Sequence, residues 1–432
     1  TFLKSAALLL ASAAMPMAHA APTGLQAGAA RVDITPPASS LPIANPGEPP
    51  FAAIHDPVFV RALVLDDGRQ RLVIVSAEVT AIPFAGDLVG DAARAGGVAP
   101  DHVLMVPTHT HSVPLFAWHG GTPDAPRAAE IARLRAAIRT GVTQAVAALS
   151  PARAEAGQGA SPVNINNGEA SRSTAGFDPA GAADHRLDVV RLSGMDGKPI
   201  ALLLAFPSHA EVMFRSRPSQ DAYAVTGDLP GAAARLLEAQ AKAAPVVLPM
   251  PGAEGDQLPL FIARRHDGEI PEEDRGSAGW HLLDAQARIV GEATMLALHH
   301  ARPLGTRLAG GTADASCPGV VREIDHATHK VLSEQDVTVK IPLSLLRIGD
   351  YAIAGIGGDL ASELGARLRA DLGSDRTMLT TMRAGSVGYV LDDAAYARET
   401  HGVLGSPLRP GCAGPAIAAG LNALDGALSA KP

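Results

Sequence analysis

Residues 102–112 read His-Val-Leu-Met-Val-Pro-Thr-His-Thr-His-Ser, and both the fold and the chemistry can be approached from this stretch. The run from Val103 to Val106 is apolar without a break, the pattern of a strand buried on both faces. Pro107 closes it, and two histidines stand directly beyond. Enzymes of the α/β class place their sites at such strand ends. In extended backbone, residues two apart project to the same side. His109 and His111 can therefore share one metal ion, or one can bind it while the other moves a proton. Read alone, the pair is equally compatible with two polar loop histidines.

Outward from this stretch, strands and helices alternate. Arg71 to Val79 is a second β-rich run. Ala128 to Leu149 is expected to be helical, because Ile131, Leu134, Ile138, Val142, Val146 and Leu149 recur at helical spacing. Leu187–Leu192 and Ile200–Phe206 read as paired strands around the turn Met195-Asp-Gly-Lys. Helices are expected over 231–242, 278–300 and 360–372, and strands over 245–248 and 351–355. Residues 38–57, 160–183 and 264–276 read as loops, and no fixed-period repeat is visible. The expected fold is α/β, a mixed β-sheet core covered by helices in a single large catalytic domain.

The bulk numbers narrow the function. A formal net charge of −8 over 432 residues, with a pI near 6.0, leaves no basic footprint for nucleic acid. Lys4, the apolar run Ala6–Ala14 and the ending Ala18-His-Ala20 read as a signal peptide over 1–20, with the domain over 21–432. A secreted or periplasmic protein is expected, without a transmembrane span. Cys317 and Cys412 could pair in an oxidising compartment or remain two buried thiols.

Other strand ends carry the same signature. Leu202–Phe206 runs into Pro207-Ser208-His209, and Asp228 follows at the opening of a helix, as cap or as support for a ligand histidine. Val246–Leu248 leads to Pro251-Gly-Ala-Glu254-Gly-Asp256, whose acids could serve as ligand, base or support. Gly355-Ile-Gly-Gly-Asp359 joins a strand to a helix, so Asp359 is a cap or a carboxylate ligand. His299 and His300 end a helix, where cations suit the macrodipole. His326 and His329 lie in a polar stretch, and His401 follows Glu399.

The order and spacing of these blocks resemble the neutral, non-lysosomal ceramidase family over nearly the whole mature chain. The residues carrying the resemblance are Ala27–Pro37, Asp56–Gly68, Thr108-His-Thr-His-Ser112, Phe206-Pro-Ser-His209, Gly227-Asp-Leu-Pro-Gly231, Gly255-Asp256, Gly358-Asp359 and Gly388-Tyr-Val390. The resemblance implies a zinc ion, Zn(2+), held by His109, His209, Asp359 and Tyr389, with His111 moving protons beside it. Tyr396 is the alternative to Tyr389, and Glu363 to Asp359.

Three departures qualify what carries over. The family's catalytic serine, two residues after its Gly-Asp pair, is Leu258 here; its glutamate ligand is Asp359; and Val113–His119 replaces the glycines after its histidine signature. The family's extra C-terminal β-domain is not expected within these residues. A leucine can neither attack nor donate, which argues against ceramide as the substrate. The expected activity is water attack, aided by metal, on an amide or ester of a small or lipid-like acyl compound, with His111, Glu254 or Asp256 moving the proton and Tyr389 stabilising the oxyanion. Leu115–Trp118 could line an acyl pocket. The rival is a catalytically dead binding or scaffold protein, which Leu258 favours. A phosphoester hydrolase ranks last, because few acids flank His109.

Overall fold

Leu72 to Ala77 are all buried in the Arg71–Ala77 strand, as the unbroken apolar run requires of a strand covered on both faces. The computed structural model describes residues 24–44, 49–114, 125–168, 176–218, 222–240, 245–264, 273–325, 330–398 and 402–429. The Arg71–Ala77 strand belongs to a nine-stranded mixed sheet. Across its main path the strands run 246–251, 199–206, 186–194, 150–160, 26–33, 59–66, 71–77 and 103–107, with 302–303 added on 150–160. The pairs at both ends of this path are parallel and the inner ones antiparallel.

One face of this sheet is covered by the helices Ala85–Gly96, Ala125–Ala147, Asp228–Gln240 and Gly279–His299. The other face packs on a four-stranded sheet, burying Leu63, Leu65, Leu72 and Ile74 against Leu346, Ile348, Ile353 and Met378. That second sheet, 308–325, 330–348, 351–356 and 377–380, is covered outside by the helices Ser362–Leu372 and Ala413–Ser429. The fold is the expected mixed α/β one, and its four layers are helix, sheet, sheet, helix.

The layers hide a threefold internal repeat. Each unit has three antiparallel strands, a helix, a fourth strand parallel to the third, and a second helix lying back on the first strand. The units are 26–33, 59–66, 71–77, 85–96, 103–107, 125–147; then 150–160, 186–194, 199–206, 228–240, 246–251, 279–299; then 308–325, 330–348, 351–356, 362–372, 377–380, 413–429. Unequal loops between the strands abolish any fixed period, which is why periodicity does not reveal it.

A local signal was present. Ala27-Gly28 and Ala156-Gly157 mark the first strands of the first two units, and Gly311 faces the corresponding helix in the third. A Cβ on Gly28 would lie 2.2 Å from the Ala145 carbonyl oxygen, and one on Gly157 at 2.2 Å from that of Ala297, so in both units helix backbone rests directly on strand backbone. Gly157→Ala is therefore expected to destabilise at or beyond the upper end of the roughly 1–3 kcal/mol typical of overpacking, read as a lowered midpoint in urea unfolding. An unchanged midpoint would mean that the helix slides away at no cost.

Several expectations shift. The helix expected over 128–149 runs Ala125–Ala147, and the one expected over 231–242 starts earlier, at Asp228. The stretch 38–57, expected to be loop, contains the strands Ile43–Ala44 and Pro50–Ile54, and 160–183 contains Asn164–Asn166. The paired strands around Met195–Lys198 form as expected, with Gly197 taking the left-handed turn position (φ 83°). Cys317 and Cys412 are joined in a disulfide across 95 residues. No described helix is long and apolar enough to cross a membrane. Residues 1–20, Leu115–Trp118, His326, His329 and His401 lie outside the described residues.

Candidate metal centre

The third and fourth strands of the three units all end at one place. The fourth strand of the first unit, Val103–Pro107, delivers His109; the third strand of the second, Pro199–Phe206, delivers His209; the third strand of the last, Tyr351–Ile356, delivers Asp359. One ligand atom from each of these residues lies within 4.8 Å of the other two, and all three side chains are buried. His209 Nε2 is 3.1 Å from Asp359 Oδ2, and His109 Nε2 is 3.9 Å from the same oxygen.

Both imidazoles are fixed from behind. His109 Nδ1 is 2.6 Å from the Thr80 carbonyl oxygen and His209 Nδ1 is 3.1 Å from that of Gln257. A carbonyl only accepts, so each Nδ1 carries a proton; His109 Nε2 then presents a lone pair to the shared point, while His209 Nε2 donates to the Asp359 carboxylate until an ion takes that proton's place. This is the outer-shell arrangement of metal-bound histidine. His109 holds its place in left-handed backbone (φ 62°), a conformation that costs a non-glycine residue free energy and recurs at functional sites. Asp359 Oδ1 is buried with no hydrogen-bond partner among the described residues. A buried carboxylate oxygen left in that state is costly unless a cation satisfies it. The donor set of two fixed imidazoles and one carboxylate fits a divalent transition ion.

The charges are arranged around one proton. Burial pulls the His109 imidazole down to about 4, with His111 adding to the effect. Burial also lowers His111, to about 3, helped by His209. At His209 burial acts downward too, but the Asp359 carboxylate outweighs it and holds the imidazole well above its ordinary value. Asp359 is correspondingly lowered, because its histidine neighbours overcome burial. An ion entering this site must displace the His209 proton.

His111 flanks the group without joining it. Its Nε2 lies 3.4 Å from His109 Nε2, and its Nδ1 lies 3.2 Å from Glu211 Oε1. Glu254 is buried, with Oε1 unpartnered among the described residues. Burial raises its carboxyl well above the ordinary range against the lowering influence of His209, and Asp359 and Glu211 add repulsion. Tyr389 pairs in strand register with Asp359, and its ring centroid is 6.5 Å from that of His209. Burial, then the carboxylates of Asp359, Glu211 and Glu254, push its phenol well above the ordinary value, so it keeps its proton.

Asp256 differs from its expected role. Its Oδ1 accepts from Ser362 N (2.8 Å) and Gln257 Nε2 (3.0 Å), and its Oδ2 from Ser362 Oγ (3.0 Å) and Asn166 Nδ2 (3.1 Å). Those four bonds occupy both oxygens and anchor the start of the Ser362–Leu372 helix. Glu363 turns to a surface cavity shared with Arg367, Leu391 and Asp393. Tyr396 bonds Ser406 Oγ at 2.8 Å. Leu258 is buried in the Gln257–Pro259 strand, opposite Ile165. Asp228 caps its helix through Leu229 N (2.7 Å) and also takes Val212 N and Met213 N, each at 2.9 Å. It thus pins the chain just beyond His209 and touches neither ligand imidazole directly.

Two acids escaped the sequence reading. Glu211 stands two residues beyond His209, the same spacing as His109 and His111, and that spacing was the available signal. Glu78 stands one residue past the third strand of the first unit, whereas His209 and Asp359 stand three residues past theirs, a place that Thr80 holds here. Glu78 forms a buried ion pair with Arg61, which also bonds Glu238.

The overall arrangement has solved counterparts. The chain superposes on the crystal structure of neutral ceramidase from Pseudomonas aeruginosa with a TM-score of 0.70, at 15% identity, covering 93% of this chain and 74% of that one. The fold is ceramidase-like. A second structure, a ceramidase complexed with C2, gives a TM-score of 0.70 at 14% identity with the same coverage. No protein-family model and no curated protein matches the sequence. At these identities the likeness is one of fold, and the chemistry rests on the ceramidase-like chain's own residues.

Proposed function

We propose that this chain is a zinc-dependent hydrolase of an amide or ester bond in a small or lipid-like acyl compound. The observation that carries the proposal is the convergence of His109 Nε2, His209 Nε2 and Asp359 from three units, with both imidazoles oriented by backbone carbonyls. Zinc takes such nitrogen and carboxylate donors, with three protein ligands common in catalytic sites. Tyr389, beside them, is the fourth candidate ligand. When bound, the ion supplies Lewis acidity that polarises a carbonyl and eases the ionisation of water.

The chain's own groups divide the remaining work. His111, neutral and beside the centre, accepts the proton of the attacking water. Glu254, held protonated, gives one to the departing amine or alcohol. The protonated Tyr389 phenol donates to the oxyanion that develops as the carbon–oxygen bond forms. Glu254 takes this part rather than Asp256, whose oxygens are already committed. The N-terminal segment and the disulfide support an exported protein.

Protein made with zinc present is expected to carry about one ion per chain, and to lose turnover to a chelator. A panel of N-acyl, ester and phosphoester model compounds identifies the bond. Zinc content near zero would overturn the assignment. Zinc affinity should also rise with pH through and above neutrality, because His209 is held well above its ordinary value and must release its proton first. Calorimetry in buffers of differing ionisation enthalpy reads that proton; a pH-independent affinity would contradict the ligand role of His209.

Leu258 favours a second reading, a ceramidase-like binding protein without turnover. Under it, His109→Ala leaves ligand binding intact. Under the hydrolase reading the same change removes catalysis.

A further inference from the structure

We propose that the one-turn helix Gly402–Gly405 is the seat of the Tyr389 ring and that Arg322, reaching from the long hairpin, holds that seat, which makes Gly405 and Arg322 positioning residues of the metal centre. Only the catalytic consequence rests on the hydrolase reading; the placement of the ring does not.

The main chain of Tyr389 is tied to a candidate ligand. Asp359 N donates to the Gly388 carbonyl at 2.8 Å, and Ala361 N to that of Val390 at 3.0 Å, so the short strands 359–360 and 389–390 run as a parallel pair. That register fixes where the Tyr389 Cα stands. It leaves the ring free to choose among its rotamers.

The Gly402–Gly405 turn removes that choice. Residues three apart share one side of a helix, and here neither carries a side chain. A Cβ on Gly405 would lie 2.7 Å from Tyr389 Cδ2 and 3.1 Å from Cε2, and one on Gly402 at 3.3 Å from Cγ. Carbon atoms in contact prefer about 3.5–4.0 Å. The ring therefore rests directly on backbone, and a methyl group at 405 has to displace it. Gly388 completes the fit. It lies in left-handed backbone (φ 96°), and a Cβ on it would stand 2.8 Å from the Gly405 carbonyl oxygen.

The turn is gripped from the Leu308–Asp325 strand. Arg322 Nη1 donates to the carbonyl of Val403, at 3.4 Å, and to that of Ser406, so one guanidinium brackets Gly405. Val320 N donates to the Pro407 carbonyl at 2.7 Å, and Tyr396 Oη lies 2.8 Å from Ser406 Oγ. The hairpin thus acts on the centre by contact, from guanidinium to turn to ring. At the end of that line the Tyr389 ring stands 6.5 Å from His209, centroid to centroid.

The test labels the full chain with 3-fluorotyrosine and records fluorine NMR without metal and with zinc. The chain has four tyrosines, and Tyr389→Phe identifies the signal. Gly405→Ala and Arg322→Gln should each move the Tyr389 signal, while those of Tyr223 and Tyr351, packed in other clusters, stay in place. Arg322→Gln adds nothing beside the ring, and it decides the matter if Gly405→Ala does not fold. Where wild type turns over, Gly405→Ala should lower kcat by up to about 100-fold, the cost of a displacement near 1 Å, with KM little changed. In a Tyr389→Phe background it should have no further effect, because the two changes act through one group. An unmoved Tyr389 signal in either folded variant would overturn the proposal, as would equal losses of kcat with and without the phenol. Absence of turnover in wild type would instead defeat the hydrolase reading and leave the fluorine result standing.

Discussion

Zinc retention in His209→Ala is expected to fall to near zero, with hydrolysis reduced by more than the roughly 10–100-fold that loss of an outer-shell partner costs. His209 supplies the Nε2 nearest to Asp359, at 3.1 Å, and its own Nδ1 is already spent on Gln257. No other described histidine offers an Nε2 within the same group, since His111 flanks it. The change also strips Asp359 of the neighbour that does most to keep its carboxyl low, so the buried acid rises and becomes a poorer ligand. Metal analysis and kcat/KM, with circular dichroism to confirm folding, decide the matter. A folded variant that keeps one zinc and its rate would show that the ligands lie elsewhere.

The largest stability effect is expected at Arg61, which touches no part of the proposed chemistry. Its guanidinium is fully buried and bonds both Glu78 and Glu238, and Arg31 also reaches Glu238. Removing one member of a buried pair typically costs about 3–5 kcal/mol, because the remaining charge loses its compensation. Arg61→Met should reach that range, measured by urea unfolding at pH 7. The sign with pH follows from linkage. Burial already pushes Glu78 up even with Arg61 beside it, and without Arg61 it rises further. The folded variant then holds a proton that the unfolded chain has released, so stability falls as pH rises above the unfolded carboxyl value. The deficit should be smaller at pH 5 than at pH 7. Adding Glu78→Gln should recover part of the loss, since it removes the unpaired charge. A variant within about 0.5 kcal/mol of wild type, the range of ordinary surface changes, would mean that the network contributes little.

What the sequence discloses tracks where the signal is local. An apolar strand followed by a polar ligand is visible within about ten residues, so His109, His209 and Asp359 can be picked out as candidates one at a time. The long hairpin Leu308–Asp325 and Lys330–Ile348 cannot, because toward its outer end apolar residues such as Val321 and Leu332 are exposed among charged ones and give no continuous buried pattern. The Ala413–Ser429 helix is equally mute, being built largely from alanine and glycine with few charges to mark a polar face. Asp256 reads as a catalytic acid because Gly-Asp after a strand looks the same whether the carboxylate faces a substrate or a helix end; its bonds to Ser362 and Asn166, each some ninety residues or more away, distinguish them. The threefold repeat is missed for the same reason, since its equivalence lies in strand pairing rather than in spacing.

The bond between Cys317 and Cys412 encloses both Asp359 and Tyr389, the contributions of the last unit to the centre. In the chain-entropy account, opening a ring of about 100 residues returns roughly 4.7 kcal/mol of freedom to the unfolded chain. Reducing surroundings therefore weaken the hold on the acidic side of the centre while leaving the two histidines on the other units bonded to their carbonyls. The stability of the last unit is thereby made to depend on the redox state of its surroundings.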